Sequence, residues 1–189
     1  MKIKKLISAL VLGSMLVGLS GCNITDFSAE NLLRPPKAVG DEAEIEQLIA
    51  KTADSGYTLK YPKNGKFRSA IIMTDLDGND SNEAVAFFRN SAETSSVHML
   101  VMYSKDNSWE IASDNIFETT DIDSVDFADL TGNGKAEIIV NSTTYTPNVG
   151  KLSCYSYSEG KTNEVGSGQS CSSFVTGDFD NDGTSEIMS

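Results

Sequence analysis

Oxygen-bearing side chains stand at positions 1, 3, 5 and 9 of the stretch Asp178-Phe-Asp180-Asn-Asp182-Gly183-Thr-Ser-Glu186-Ile187. Alternate acids around a glycine turn converge on one point, which suits a hard, oxygen-seeking cation such as calcium. The stretch recurs as Asp129-Leu-Thr131-Gly-Asn133-Gly134-Lys-Ala-Glu137-Ile138 and as Asp75-Leu-Asp77-Gly-Asn79-Asp80-Ser-Asn-Glu83-Ala84. The first residues of the three copies lie 54 and then 49 positions apart. A period near 50 residues marks a repeat architecture such as a propeller.

The elements that must position these loops are short strands. From Tyr57 the apolar pattern has a period of two, punctuated by Gly, Asn and Asp pairs. Tyr57–Tyr61 and Phe67–Thr74 read as strands joined in a hairpin through Asn64-Gly65. The first loop leads into Ala84–Phe88, then Val97–Tyr103, a turn at Asp106-Asn107, and Trp109–Ala112. Ser124–Phe127 runs into the second loop, followed by Ile138–Val140, Leu152–Tyr157, a turn at Glu159-Gly160, and Ser172–Val175 into the third. Each period therefore holds about four strands and one acidic loop, the content of one propeller blade. Phe87, Tyr103, Tyr155 and Phe174 are expected to fill the space between blades as core.

An EF-hand loop shares the acids at positions 1, 3 and 5 but needs a carboxylate at position 12 and a helix behind it. Position 12 is Ala86, Val140 and Ser189 here, and the residues after the first two loops favour strands. An acid at position 9 followed directly by a strand resembles the calcium loop of FG-GAP and VCBS repeats. These build the seven-bladed propellers of integrin α chains and many bacterial surface proteins. The resemblance covers about residues 67–189. It implies an all-β fold, a partial β-propeller of four-stranded blades with calcium loops. It also implies that Asp75, Asp77, Asn79 and Glu83 coordinate one ion, Asp129, Thr131, Asn133 and Glu137 a second, and Asp178, Asp180, Asp182 and Glu186 a third. The carbonyl of Ser81, Lys135 or Thr184 would complete each set.

The loops depart from that pattern in three ways. All carry Glu where the integrin-type loop has Asp, and loop one has Asp80 in place of the turn glycine. Loop two has only two carboxylates and should bind weakest, whereas loop three is the most complete. The alternative is Asx-type turns that bind nothing. Extracellular calcium modules bind with dissociation constants of roughly 0.1–1 mM. At tenfold excess an ion stabilises by about 1.4 kcal/mol per site, a structural rather than a signalling role.

The address is written at the N-terminus. Lys2, Lys4 and Lys5 precede an apolar run, Leu6–Leu19, of signal-peptide length. Leu19-Ser20-Gly21-Cys22 resembles the lipobox of bacterial lipoproteins, in which the cysteine is acylated and becomes the first mature residue. Residues 1–21 read as the signal peptide and 22–40, with Pro35-Pro36, as a lipid-anchored tether. Residues 41–56 hold a short amphipathic helix opened by a capping box, Asp41 to Glu44, and 57–189 form the repeat region. The expected location is the extracytoplasmic face of the bacterial membrane. The chain carries −12, and loss of residues 1–21, with three lysines and no acid, leaves −15. So acidic a protein repels nucleic acid and anionic headgroups, so membrane attachment falls to the lipid on Cys22.

No catalytic constellation stands out. His98, the single histidine, lies in a strand-like run and reads as an exposed or satisfied strand residue. No Gly-x-Ser-x-Gly elbow occurs, and Gly166-Ser-Gly168 lacks the Gly-Lys that a phosphate loop needs. Cys154 and Cys171 are either a disulfide, which export permits, or two small buried side chains, and the turn at Glu159-Gly160 sets neither opposite the other. Two full periods do not close a propeller, and only Ile187-Met-Ser follows the third motif's last acid. The chain therefore reads as a fragment, a truncated product, or a partial array that associates between chains. The expected function is a non-catalytic, lipid-anchored binding or scaffold module for a protein or glycan. The alternatives are an accessory domain of a cell-surface hydrolase or lyase and a periplasmic or cell-wall chaperone-like assembly factor.

Overall fold

The structure, a computed structural model, describes residues 40–54, 56–93, 95–143 and 149–189. The leader, Cys22 and the tether up to residue 39 lie outside the described residues. The described chain is mostly β, in antiparallel sheets with one short helix and no closed barrel.

Helix α1 (Asp41–Ala53) spends its apolar stripe, Ile45, Ile49 and Ala53, on the first sheet. The capping box does not form. Gly40 is the N-cap, its carbonyl accepting from Ala43 N at 3.0 Å and Glu44 N at 3.4 Å, and no side chain caps the helix. Asp41 already lies inside the first turn, where with Glu42 and Glu44 it opposes the helix dipole's positive end. The Glu44 carboxylate instead accepts from the backbone of Trp109 at 3.3 Å.

The first sheet contains β1 (Tyr57–Leu59), β2 (Ile71–Thr74), β3 (Glu83–Asn90), β4 (Val97–Lys105) and β5 (Ser108–Phe117). Strands β2 to β5 form an antiparallel meander. The expected Asn64-Gly65 hairpin is absent, because β1 and β2 lie end to end along the same edge of β3. Leu59 pairs with Phe88, and Ile71 with Ala86. The linking segment crosses to the second sheet instead, where Lys63 N donates to Ile122 O at 3.2 Å and Asn64 N to Asp123 O at 2.7 Å. The turn signal was real, but its hydrogen bonds go to another sheet.

The second sheet repeats the meander with β6 (Ile122–Ala128), β7 (Glu137–Thr143), β8 (Gly150–Ser158) and β9 (Lys161–Cys171). A third, two-stranded sheet pairs β10 (Val175–Gly177) with β11 (Glu186–Met188). Ser172–Ser173-Phe174 is therefore not strand, and β10 begins only at Val175. The turns at Asp106-Asn107 and Glu159-Gly160 do form, each with positive φ at both residues as two-residue hairpins require.

Alternation explains the layering. In β3 and β4, Ala84, Ala86, Phe88, Leu100 and Met102 face α1, whereas Val85, Phe87, Val97, Met99 and Val101 face the second sheet. Both faces of these strands are buried, so the stretches Ala84–Phe88 and Met99–Met102 are continuously apolar. Phe87 and Tyr155 lie buried in the cluster between the two sheets, with Tyr103 packed at its margin. Ile139, Leu152, Cys154 and Cys171 cover the far face of the second sheet, against Phe174 and Ile187.

Candidate metal-binding loops

Each acidic stretch connects two successive antiparallel strands: β2 to β3, β6 to β7, and β10 to β11. The position-9 acids, Glu83, Glu137 and Glu186, are the first residues of the strands that follow. A strand, not a helix, thus stands behind every loop, and the EF-hand alternative fails on geometry as well as on spacing.

The three loops share one hydrogen-bond plan. The position-1 aspartate gathers backbone amides from the bend: Asp75 accepts from Gly78 N at 2.8 Å and Asp80 N at 2.9 Å. Asp129 accepts from Gly132 N and Gly134 N, both at 2.7 Å, and Asp178 from Asp182 N at 3.1 Å and Gly183 N at 3.0 Å. At position 5, Asn79, Asn133 and Asp182 each accept from the amide two residues on, at 2.7, 2.8 and 2.8 Å. The position-9 glutamates reach back to the amide of position 2. Glu83 accepts from Leu76 N, Glu137 from Leu130 N and Glu186 from Phe179 N, all at 2.8 Å. The extra methylene of Glu over Asp supplies that reach.

Positions 4 and 6 have positive φ in every loop. Position 6 is Gly134 and Gly183 in loops two and three, and Asp80, with φ 64°, in loop one. Asp80 makes the same bend as the glycines. Aspartate is one of the few side chains that enter this region readily.

Charge concentrates accordingly. One oxygen from each of Asp178, Asp180, Asp182 and Glu186 lies within 4.8 Å of the others, and likewise for Asp75, Asp77 and Glu83. Loop two contributes Asp129 and Glu137, with neutral Thr131 and Asn133 between them. Burial opposes ionisation of Asp75 and Asp129, but four backbone amides at each outweigh it and hold both carboxyls below their ordinary range. Glu83, only 3% exposed, moves the other way. Burial drives its carboxyl up, and Asp77 and Asp75 add to the rise against the Leu76 amide. The effect extends into the core: Tyr157 is pushed up to about 12 by burial, then by Glu83 and Asp77.

One atom tests the fit of a cation. Asp77 Oδ1 is buried and has no hydrogen-bond partner. An anionic oxygen shielded from water and lacking any donor is costly unless a cation satisfies it. The surrounding donor set is all oxygen, the chemistry of calcium.

Sequence reasoning missed how the loops meet. Ala136 N in loop two donates to Leu76 O in loop one at 3.0 Å, and Ser185 N in loop three to Asp129 O in loop two at 2.8 Å. Gly78 lies so close to loop two that a Cβ there would stand 2.8 Å from the Gly134 carbonyl. The only sequence signal for this ladder is the recurrence itself. Also unforeseen is Asp121, whose carboxyl is disfavoured by burial but pulled down overall by Lys60 and Lys63, the latter 3.1 Å away.

His98 is a satisfied strand residue and is buried, at 6% exposure, rather than exposed. Cys154 and Cys171 are free and buried in one cluster, and burial pushes both thiols up. Their register partners are Gly166 and Gly150, so neither faces the other across the β8–β9 hairpin. No family model, curated protein or solved structure matches the chain.

Proposed function

We propose that this chain is a non-catalytic binding or scaffold module whose acidic loops take calcium as a structural ion. In this reading its sheets are successive blades of a partial propeller of the FG-GAP/VCBS kind. The observation that carries it is the partnerless, buried Oδ1 of Asp77 beside Asp75 and Glu83. A loop serving only as a turn would have no use for it. Loop three would coordinate through Asp178, Asp180, Asp182 and Glu186, and loop one through Asp75, Asp77, Asn79 and Glu83. Loop two, with Asp129, Thr131, Asn133 and Glu137, is the weakest site. The bound ion cancels repulsion among carboxylates and fixes the bend, while the antiparallel sheets present the remaining surface to a protein or glycan ligand.

The module is held at the extracytoplasmic face of a bacterial membrane by acylation of Cys22. The support is the basic start, the short apolar run and Leu19-Ser20-Gly21-Cys22. A clickable fatty acid should label the expressed protein and not its Cys22→Ser variant. Equal labelling of the two refutes the anchor. For the ion, calcium titration followed by melting temperature, with and without chelator, is decisive. Stabilisation by millimolar calcium, lost in Asp178→Ala/Asp182→Ala for loop three, supports the reading, and an unchanged melting curve refutes it.

A further inference from the structure

His98, the chain's only histidine, lies at the end of β4 remote from the acidic loops. It pairs with Phe88, whereas the loop-proximal Ala84 pairs with Met102. Its ring stacks on Phe88 with centroids 4.8 Å apart and planes at 18°. Nδ1 is 2.9 Å from both carboxylate oxygens of Asp114 on β5, and Nε2 is 3.2 Å from Glu93 Oε2 in the turn between β3 and β4. The Ser96 hydroxyl donates to that same Glu93 oxygen.

A neutral imidazole has one N–H. With a carboxylate at each nitrogen, it would set its lone pair against an anion on one side, and only the imidazolium donates on both. Ser96 and His98 hold the Glu93 carboxyl below its ordinary range, against burial, so Glu93 is the anion of the pair. Among the described residues, the other elements around the ring add no competing cation contact. Beyond Phe88 stands Tyr57 of β1, edge-on at 6.1 Å and facing Glu46 of α1, while the neighbouring Arg89 donates to the Thr120 carbonyl.

The turn that Glu93 holds also anchors the chain between α1 and β1, since Ser91 N donates to Gly56 O at 2.9 Å. We propose that His98 is a pH-operated latch: its imidazolium ties the β3–β4 turn to β5 through Glu93 and Asp114, and loss of the proton frees the turn. The latch contributes while both ring nitrogens donate and is lost when one proton leaves.

A single histidine makes the test direct. Two-bond 1H–15N correlation spectra of the full protein, recorded from about pH 5 to pH 8 across the usual histidine range, report the ring's state. At the acid end both nitrogens should be protonated. As the pH rises, the amides of Ser91, Ala92, Glu93 and Ser96 should shift with the ring's own midpoint. In Glu93→Gln the ring should still titrate while those amides no longer follow it. Hydrogen exchange of the wild-type turn amides, corrected for intrinsic rate, needs no variant and should lose protection at the same midpoint. A ring that stays a single neutral tautomer throughout, turn amides indifferent to its titration, or amides that follow it equally in Glu93→Gln, would each overturn the proposal.

Discussion

Replacing Asp77 by Asn separates an ion site from a self-closed turn by the sign of its effect. Asp77 places an unpartnered oxygen beside Asp75 and Glu83, whose ligand oxygens lie within 4.8 Å of one another. Without an ion the three acids repel: burial drives the Glu83 carboxyl up, and Asp77 and Asp75 add to the rise. Asp77→Asn should therefore raise the melting temperature of the chelated protein while abolishing its response to calcium at loop one. At tenfold excess over the dissociation constant, one site contributes about 1.4 kcal/mol. In a chain of this size each kcal/mol moves the midpoint by about 2–4 °C. Loops one and three, the two that gather three or more carboxylates, should then add about 6–11 °C together in wild type and half that in the variant. The assay is a pair of thermal melts, in chelator and in millimolar calcium, for each protein. A variant less stable than wild type in chelator, with the calcium increment intact, would refute the reasoning, for Asp77 would then be a structural acceptor.

Acidification should act on Glu83 and on two aspartates in opposite directions. Glu83, raised in the folded state, costs stability at neutral pH, so the chelated protein should gain stability as pH falls through the window just above the ordinary glutamate value of 4.5; Glu83→Gln should flatten that limb of the urea-midpoint profile. Asp129 and Asp121, lowered on folding, contribute stability at neutral pH that is lost as pH falls below the ordinary aspartate value of 3.8, so the same profile should turn down there. Gly150→Ala would put a Cβ 2.0 Å from Asn141 Oδ1, and Asn141 is fully buried and cannot swing away. The strain should cost about 1–3 kcal/mol by urea unfolding, and a double-mutant cycle with Asn141→Ala should show most of it as coupling. Cys154 and Cys171 should remain unbridged under oxidation in a Cys22→Ser background, because the four residue steps along β8 from Gly150, the register partner of Cys171, to Cys154 span about 13 Å, beyond disulfide reach; a mass loss of two protons in the folded monomer would contradict this.

The parts of the fold legible from sequence were those decided locally. Ala84–Phe88 had to be a buried strand because nothing polar interrupts it, Val97–Tyr103 because only His98 does, and Asp106-Asn107 and Glu159-Gly160 turn with positive φ at both residues. Strand β9, from Lys161 to Cys171, escaped notice because it is exposed on nearly every residue and so carries no alternation. It is held by pairing to β8, a long-range partner that no window of its own sequence contains. Asn64-Gly65 failed for the converse reason: a turn signal says that the chain bends, and only the edge of β3 decides where the next strand goes. The acidic loops were legible because oxygen spacing within ten residues fixes their geometry. Their mutual contacts, between residues about 50 apart or more, were not.

Those contacts bear on why the acids sit where they do. The strand-entry segments of loops two and three each donate an amide to the start of the loop before, so Ala136 leans on Leu76 and Ser185 on Asp129. Three acidic bends are thus stacked side by side, an arrangement that like charge disfavours. Backbone amides answer part of this at Asp75 and Asp129 by stabilising the anionic form. They leave Glu83 raised and Asp77 Oδ1 unanswered, so loop one is where hydrogen bonding alone fails to balance the charge. Loop two sits in the middle of the stack and is also the loop with the fewest acids, carrying Thr131, Asn133 and Lys135 where more carboxylates would crowd both neighbours. A central loop with the fewest carboxylates, flanked by two more acidic ones, eases the repulsion that packing three such loops in contact creates.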